Sequence, residues 1–163
     1  MLEICNNNGI PVIMDSSGES LKNALVHKEK PFAIKPNVAE LSQLLGINME
    51  VGIIDLKQAL NHELFTGIEW IIVSMGGEGA LVRKGEDYYR VTIPKIEVNN
   101  PVGSGDATVA GLAVALHQNQ TVETVLKTAM TTGMLNTMEA ETGYINVNKF
   151  KKYFDLVNVE KID

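Results

Sequence analysis

Short apolar segments alternate with helical patterns along this chain of 163 residues. The clearest strand, Trp70 to Ser74, is short, continuous and rich in β-branched residues. Segments 11–14 and 32–35 are also predicted as strands, and the first of them is predicted to be buried. Continuous apolar strands that are separated by helices are typical of parallel sheets covered on both faces. The sequence therefore predicts an α/β fold with a mostly parallel sheet.

The segments between and after these strands carry apolar residues at helical spacing. Helices are predicted at 1–8, 20–28, 38–45, 56–64, 107–116 and 122–133. The helix at 107–116 is apolar nearly all round, which predicts that it is deeply buried. Residues 80–82 and 88–93 are predicted to form a β-hairpin around the polar turn at 84–87.

The charge and the composition exclude several classes of protein. The formal net charge is −6, whereas nucleic-acid-binding proteins normally carry a basic surplus or a basic stripe. The longest apolar run, Val109 to Leu116, is far shorter than the roughly 20 residues that a membrane helix needs. The single cysteine excludes an internal disulfide framework and suits the cytoplasm. We therefore expect a cytoplasmic protein that binds neither nucleic acid nor membranes.

The turn Gly103-Ser104-Gly105-Asp106 is the strongest candidate for chemistry. A β-prone segment, 95–98, precedes this turn, and the long apolar helix follows it. A helix N-terminus offers free amide N–H groups and a partial positive charge, and glycines let a ligand approach the backbone closely. We expect the N–H groups of residues 103–105 to hold a phosphoryl group. Asp106 would then accept the proton of an attacking hydroxyl, a role worth about 10²–10⁴ in rate.

Helix capping, a dinucleotide site and a Walker A motif are the other interpretations of this turn. Asp106 also suits a plain helix-capping role, which spacing alone does not exclude. A dinucleotide site is disfavoured, because Thr108 replaces the third glycine and the acidic candidate, Glu123, lies in a predicted helix. A Walker A motif is excluded, because neither glycine-rich turn continues into Gly-Lys-Ser or Gly-Lys-Thr.

Three further segments follow predicted strands. Ser74 to Gly79 contains a hydroxyl and three glycines that suit a nucleotide phosphate, although a plain glycine turn has the same composition. Lys35 either reaches a phosphate or is an ordinary solvated lysine. Asn37 and Glu40 have the spacing of a capping box, and they also suit a hydrated Mg²⁺. Asp15 follows the first predicted strand, and we assign it no chemistry.

Taken together, these motifs resemble the pfkB family of carbohydrate kinases, which share the ribokinase-like fold. Three motifs occur in the family's order: Asn37-x-x-Glu40, then Ser74-x-Gly76-x-x-Gly79, then Gly103-Ser104-Gly105-Asp106-x-x-x-Ala110-Gly111. The last motif resembles the family's C-terminal signature and is the most specific. Segments 35–37, 102–106, 132–136 and 143–146 are most similar to family members that phosphorylate tagatose 6-phosphate, and members that act on fructose 1-phosphate are close relatives.

The resemblance implies a role for each matching residue. Asp106 would be the base that deprotonates the sugar hydroxyl, and Gly103, Ser104 and Gly105 would hold the γ-phosphate of ATP. Asn37 and Glu40 would organise Mg²⁺ through its waters. The residues implied to bind the nucleotide are Lys35, Ser74, Gly76, Gly77, Gly79, Met130 and Gly133. The resemblance thus implies ATP and Mg²⁺ as cofactors and a sugar phosphate as the second substrate.

The resemblance covers residues 1–163 but only about the C-terminal half of the family's kinase domain. It implies a three-layer α/β/α ribokinase-like fold that lacks the N-terminal strands and the β lid and forms the nucleotide-binding part. We expect this chain alone to bind nucleotide weakly and to turn over little or no sugar phosphate, because the sugar pocket lies in the other half. The open edge of the strand at 11–14 predicts a homo-oligomer or poor solubility. The alternative is a truncated nucleotide-binding module without catalytic activity.

Overall fold

The computed structural model describes residues 1–47 and 52–163. The chain forms two compact units. The first comprises Met1–Gly76, Ala80–Arg90 and Lys161–Asp163, and the second comprises Gly77–Gly79 and Val91–Glu160. None of the helices in the described residues combines the length and the apolar character needed to cross a membrane.

The strands and helices of the described residues follow one another in a regular order. The strands are β1 (Ile13–Met14), β2 (Ala33–Ile34), β3 (Trp70–Ser74), β4 (Ala80–Lys84), β5 (Asp87–Thr92) and β6 (Asn158–Ile162). The α-helices are α1 (Leu2–Asn7), α2 (Gly18–Val26), α3 (Val38–Leu45), α4 (Ile53–Leu60), α5 (Ser104–His117), α6 (Val122–Thr137) and α7 (Phe150–Leu156). Helices thus lie between the first three strands, which confirms the predicted α/β class.

The six strands form one sheet in the order in which they occur along the chain. β1 and β2 are parallel, with Met14 opposite Ile34, and β2 and β3 are parallel, with Ile34 opposite Ile71. β4 runs antiparallel to β3. Residues 85–86 alone connect β4 to β5, which confirms the predicted hairpin because only antiparallel strands accept so short a connection. The parallel part of the sheet is therefore its first three strands.

The core of the first unit consists of strand residues and leucines from the intervening helices. β2 and the first four residues of β3 are buried, as are one or more leucines on each of α2, α3 and α4. The fully buried or nearly fully buried leucines are Leu21, Leu25, Leu41, Leu56 and Leu60. Leu21 and Leu25 are four residues apart, as are Leu56 and Leu60, which is the spacing of neighbours on one face of a helix. The sequence spacing thus identified the buried leucines of α3 and α4.

The first strand differs from its prediction. β1 contains two residues rather than four, and both are half-buried rather than buried. β1 lies at the end of the strand order and pairs only with β2 among the described strands. A strand at the edge of a sheet has a neighbour on one side only, and its side chains are correspondingly less covered.

An exposed ion pair connects the last two strands of the sheet. Lys161 Nζ lies 2.8 Å from Asp87 Oδ1. The hydrogen bond from Lys161 lowers the pKa of the Asp87 carboxyl, and the same bond raises the pKa of Lys161. Because both side chains are exposed to solvent, the pair adds little to stability.

In the second unit, α5 and α6 approach each other closely at two glycines. A Cβ atom at Gly133 would lie 2.2 Å from Thr108 Oγ1, and a Cβ at Gly111 would lie 2.3 Å from Thr132 Oγ1. Both threonine hydroxyls donate to carbonyls of their own helix, Thr108 to Ser104 at 2.8 Å and Thr132 to Ala129 at 2.9 Å. Only a residue without a side chain fits at these two crossing points.

Two predictions for the second unit are wrong. α5 is buried only along the side that carries Thr108, Gly111, Leu112 and Ala115, and Val114 is 54% exposed. Residues 95–98 form no strand, because β-propensity requires a neighbouring strand to pair with. The next backbone hydrogen bonds after β5 are at Asn99 and Asn100, whose N–H groups both donate to the carbonyl oxygen of Thr137.

We expect Gly133→Ala to lower the free energy of unfolding by about 1–3 kcal/mol, because the added methyl group overpacks the contact with Thr108. The gain of about 1 kcal/mol in helix propensity offsets this loss only in part. Urea denaturation measures the effect. Gly77→Ala is the matched control, because no atom lies within 4 Å of a Cβ there.

The double variant Thr108→Ala/Gly133→Ala removes the clashing hydroxyl and should recover part of the lost stability. If Gly133→Ala unfolded at the same urea concentration as the unmodified chain, the close approach of α5 and α6 would be wrong.

Candidate functional site

The parallel strands of the first unit bring polar residues to one edge of the sheet. The carboxyl ends of parallel strands meet at the same edge of a sheet. At this edge Asp15 follows β1, Lys35 follows β2, and Ser74 is the last residue of β3. The N–H of Ser74 donates to the carbonyl oxygen of Pro36 at 3.0 Å, and Asn37 forms a parallel bridge with Ser74. The structure therefore places Lys35, Asn37 and Ser74 at the same edge of the sheet.

Asn37 and Glu40 form the predicted capping box at the start of α3. The N–H of Glu40 donates to Asn37 Oδ1 at 2.8 Å, and the N–H of Asn37 donates to Glu40 Oε2 at 2.9 Å. The box occupies one oxygen of Glu40, and its Oε1 remains available to a water of a hydrated Mg²⁺. Residues 1–47 and 52–163 contain no cluster of three or more metal-ligating side chains. A single acceptor oxygen such as Glu40 Oε1 suits a water-mediated contact to Mg²⁺, which is how magnesium commonly binds proteins.

Lys35 is buried, so its interpretation as an ordinary solvated lysine is wrong. Its side chain is 8% exposed, and its Nζ lies 3.2 Å from Asp15 Oδ2. The register of the parallel strands explains the pair, because Met14 lies opposite Ile34 and the next residues along each strand are Asp15 and Lys35. Asp15 lies outside the sequence motifs. The signal that could have identified it is a carboxylate and an ammonium group at equivalent positions after neighbouring strands.

The three glycines that follow β3 differ in whether the backbone conformation or the packing requires a glycine. Gly76 has a φ of 56°, a left-handed conformation that favours glycine. Gly79 has a φ of 89°, and a Cβ there would lie 2.1 Å from the carbonyl oxygen of Val91. Gly77 has neither a positive φ nor an atom within 4 Å of its Cβ position. Packing therefore explains Gly79, whereas nothing in the described part of the chain requires a glycine at position 77.

The N-terminus of α5 in the second unit has free amide groups. Gly103 is the N-cap residue, with a φ of 81°, and no side chain caps the helix. Within the described residues, the N–H groups of Gly103, Gly105 and Asp106 donate to no acceptor. The N–H of Ser104 donates to the carbonyl oxygen of Pro101 at 3.2 Å. The prediction that the Ser104 amide is free to hold an anion is therefore wrong, and the Asp106 amide is available in its place.

Asp106 is exposed in the first turn of α5. Its carboxylate forms no hydrogen bond or ion pair with any residue in 1–47 or 52–163. The helix-capping interpretation of Asp106 is therefore not supported by a side-chain contact. The arrangement leaves an anion-attracting helix end and a carboxylate without a partner in one turn of the chain, which suits proton acceptance next to a phosphate.

Met130 and Gly133 both lie on α6 and are buried in the second unit. Met130 is 7% exposed, and Gly133 packs against Thr108 as described above. This packing accounts for the glycine without any ligand. The adenine contacts that the resemblance implies for these two residues stay a prediction.

Two residues without a predicted role, Asn136 and Thr142, surround Gly103. A Cβ at Gly103 would lie 2.5 Å from Thr142 Cγ2 and 3.2 Å from Asn136 Oδ1. Asn136 is fully buried, although it lies in a helix otherwise recognised by its apolar residues. An asparagine inside an apolar helical pattern is the signal that could have identified this contact, because a buried polar side chain requires partners.

The model of the pfkB family of carbohydrate kinases matches residues 1–148. The chain belongs to this family.

Solved structures with the same fold support the assignment. A candidate phosphofructokinase from Staphylococcus aureus is 25% identical, with a TM-score of 0.89, and the match covers 99% of this chain and 51% of that one. Phosphofructokinase-2 from Escherichia coli in complex with potassium is 27% identical, with a TM-score of 0.85 and coverages of 94% and 50%. The Escherichia coli enzyme is also known in a tetrameric inhibited form.

A candidate 1-phosphofructokinase from Thermotoga maritima shares the fold, with a TM-score of 0.83 and 20% identity, over 99% of this chain and 51% of that one. The chain thus spans about half the length of the solved structures that it matches. The ribokinase-like fold is confirmed for the part of the domain that this chain contains.

The ion pair between buried Lys35 and the more accessible Asp15 generates a prediction. We expect Asp15→Asn to lower the free energy of unfolding by about 1–3 kcal/mol, because it leaves the buried ammonium group of Lys35 without an anionic partner. Asp155→Asn is the control, because it breaks an exposed pair with Lys151 and should cost less than about 0.5 kcal/mol. Urea denaturation compares the two variants.

The double variant Asp15→Asn/Lys35→Met removes both charges and should be more stable than Asp15→Asn alone. Equal losses for Asp15→Asn and Asp155→Asn would show that the pair between Asp15 and Lys35 does not contribute as described.

Proposed function

We propose that this chain supplies the nucleotide-binding and base-bearing part of an ATP-dependent sugar-phosphate kinase. The observation that carries the proposal is the uncapped N-terminus of α5, where three free amide groups accompany the unpaired carboxylate of Asp106. Membership of a family of carbohydrate kinases supports the same activity.

The proposed reaction is a direct phosphoryl transfer. A sugar hydroxyl attacks the γ-phosphorus of ATP, the new O–P bond forms, the bond to the bridging oxygen breaks, and ADP leaves. Asp106 accepts the hydroxyl proton, which is typically worth about 10²–10⁴ in rate. The amides of Gly103 and Gly105 donate to the phosphoryl oxygens, where negative charge is concentrated in the transition state. The amide of Asp106 takes the place that sequence analysis assigned to Ser104.

The remaining predicted residues would hold the rest of the nucleotide. We propose that Lys35 and Ser74 contact its phosphates and that Gly77 leaves room for them, since nothing in the described residues requires a glycine there. Met130 and Gly133 would contribute to adenine binding. Asn37 and Glu40 would orient the waters of Mg²⁺, which when bound neutralises charge on the phosphate oxygens.

We propose tagatose 6-phosphate as the sugar substrate and tagatose 1,6-bisphosphate as the product. Support comes from segments 35–37, 102–106, 132–136 and 143–146, which are most similar to family members with that activity. Fructose 1-phosphate is the second candidate, and the shared fold of the candidate 1-phosphofructokinase from Thermotoga maritima favours it. A nucleotide-binding module without catalysis is the remaining alternative.

Substitution of the proposed base tests the function. We expect MgATP to raise the melting temperature of the purified chain and of Asp106→Asn alike, because the amides rather than the carboxylate hold the phosphate. In a polypeptide that also contains the other half of the kinase domain, Asp106→Asn should lower tagatose 6-phosphate phosphorylation by at least about 10². The purified 163-residue chain should show little turnover by itself.

Fructose 1-phosphate in the same assay decides between the two sugars. Unchanged turnover in Asp106→Asn would refute its role as the base. Binding of MgATP with no phosphorylation of any sugar phosphate by the longer polypeptide would favour the module without catalysis.

We also propose that the chain forms a homo-oligomer through the free edge of β1. Val12 and Met14 direct their carbonyl oxygens toward β2, where they accept from Phe32, Ala33 and Lys35. Because the N–H and C=O groups of successive residues in a strand point to opposite sides, the N–H and C=O of Ile13 point away from β2. The tetrameric form of Escherichia coli phosphofructokinase-2 is a precedent for assembly within the family.

Sedimentation velocity tests whether the chain assembles through the free edge of β1. We expect a dimer or larger species for the unmodified chain and a monomer for Ile13→Pro, which removes an outward N–H without removing a bond to β2. A stable monomer of the unmodified chain would refute assembly through β1.

A further inference from the structure

Two consecutive asparagines join the segment before α5 to the loop after α6. Asn99 Nδ2 donates to the carbonyl oxygen of Met138 at 2.8 Å. Asn100 Nδ2 donates to the carbonyl oxygen of Ala140 at 3.0 Å and to Thr142 Oγ1 at 3.3 Å. We call Asn99 and Asn100, with the loop 138–142 that they hold, the asparagine clamp. The clamp lies entirely within the second unit.

Asn100 differs from Asn99 in what its carbonyl group does. Asn100 Oδ1 accepts from the N–H of Val102 at 3.0 Å, which folds the chain into a turn immediately before Gly103. One end of the carboxamide thus holds the loop, and the other end shapes the approach to α5. An aspartate could accept from Val102, but it would have no hydrogen to donate to Ala140 or Thr142. The contacts therefore require an amide at position 100.

The loop that Asn100 holds packs directly against Gly103. The position of a Cβ at Gly103 lies 2.5 Å from Thr142 Cγ2, and Thr142 is one of the residues that Asn100 contacts. Fully buried Asn136 also lies next to Gly103 and donates to the carbonyl oxygen of Tyr144 at 3.2 Å. Gly103 is therefore confined from two directions, by the turn that Asn100 shapes and by the loop that Asn100 holds.

We propose that Asn100 is a positioning residue for the phosphate-binding amides at the start of α5. It touches neither nucleotide nor sugar and acts through Val102 and Thr142 on the orientation of Gly103. The inference rests on the proposed function and goes beyond it by assigning a role to a residue that precedes the Gly103-Ser104-Gly105-Asp106 motif. Its consequence is selective, because a misplaced helix N-terminus weakens contacts to phosphate and leaves contacts to adenosine unchanged.

Calorimetry on the purified chain compares the affinities of two probes, MgATP and adenosine. We expect Asn100→Ala to weaken MgATP binding by about 5- to 10-fold, which corresponds to the loss of one or two hydrogen bonds. Adenosine affinity should change by less than about twofold. Asn99→Ala is the matched control, since it loses a bond to the same loop and keeps the bond between Asn100 and Val102. It should leave the ratio of the two affinities unchanged.

Asn100→Ser provides a second, milder variant if Asn100→Ala does not fold. Serine keeps a short acceptor for the Val102 N–H but cannot reach Ala140, so a smaller selective loss is expected. Equal losses for MgATP and adenosine, or the same loss of MgATP affinity in Asn99→Ala, would overturn the positioning role. If the unmodified chain bound neither probe, the proposed function itself would fail, whereas binding of both probes with no effect at position 100 would refute only this inference.

Discussion

The close contact between α5 and α6 is the constraint on which the second unit depends. Gly133 on α6 lies so near the first turn of α5 that its Cβ would be 2.2 Å from Thr108 Oγ1 and 3.1 Å from the carbonyl oxygen of Ser104. A larger residue there would push away the turn that carries the free amides. The glycine that the resemblance associates with adenine is thus also a packing requirement. Gly133 is therefore required by the packing of α5 against α6 and is also a residue of the proposed adenine site.

The start of α5, like the starts of α2 and α4 but unlike those of α3 and α6, has no side-chain cap. Side chains satisfy amide groups at the beginning of α3, through Asn37, and of α6, through Thr121. α5 begins at Gly103 with no side-chain cap. Loss of a cap typically costs about 0.5–2 kcal/mol, so α5 is less stable than the same helix with a side-chain cap would be. A phosphate is the kind of group that satisfies such an end.

The first unit arranges its polar residues by a different route. There, parallel strands rather than a helix end bring Asp15, Lys35 and Ser74 to one edge. The capping box at Asn37 fixes the start of α3 at the same edge. Because Lys35 is buried with Asp15 as its partner, a phosphate that binds Lys35 would have to share it with that carboxylate. The charge balance of this edge therefore depends on a residue that lies outside every motif.

The sequence by itself determined the features that arise from neighbouring residues. The limits of β3, the hairpin of β4 and β5, the capping box at Asn37 and the glycine turn before α5 all follow from local spacing and local hydrogen bonds. Only the tertiary structure decided which groups are already occupied. It paired Lys35 with Asp15, bonded the Ser104 amide to Pro101, left 95–98 without a strand partner and exposed one side of α5. The physical reason is that periodicity reports which face of an element is apolar, whereas the partner of a polar group depends on strand register and helix contacts between residues far apart in the chain.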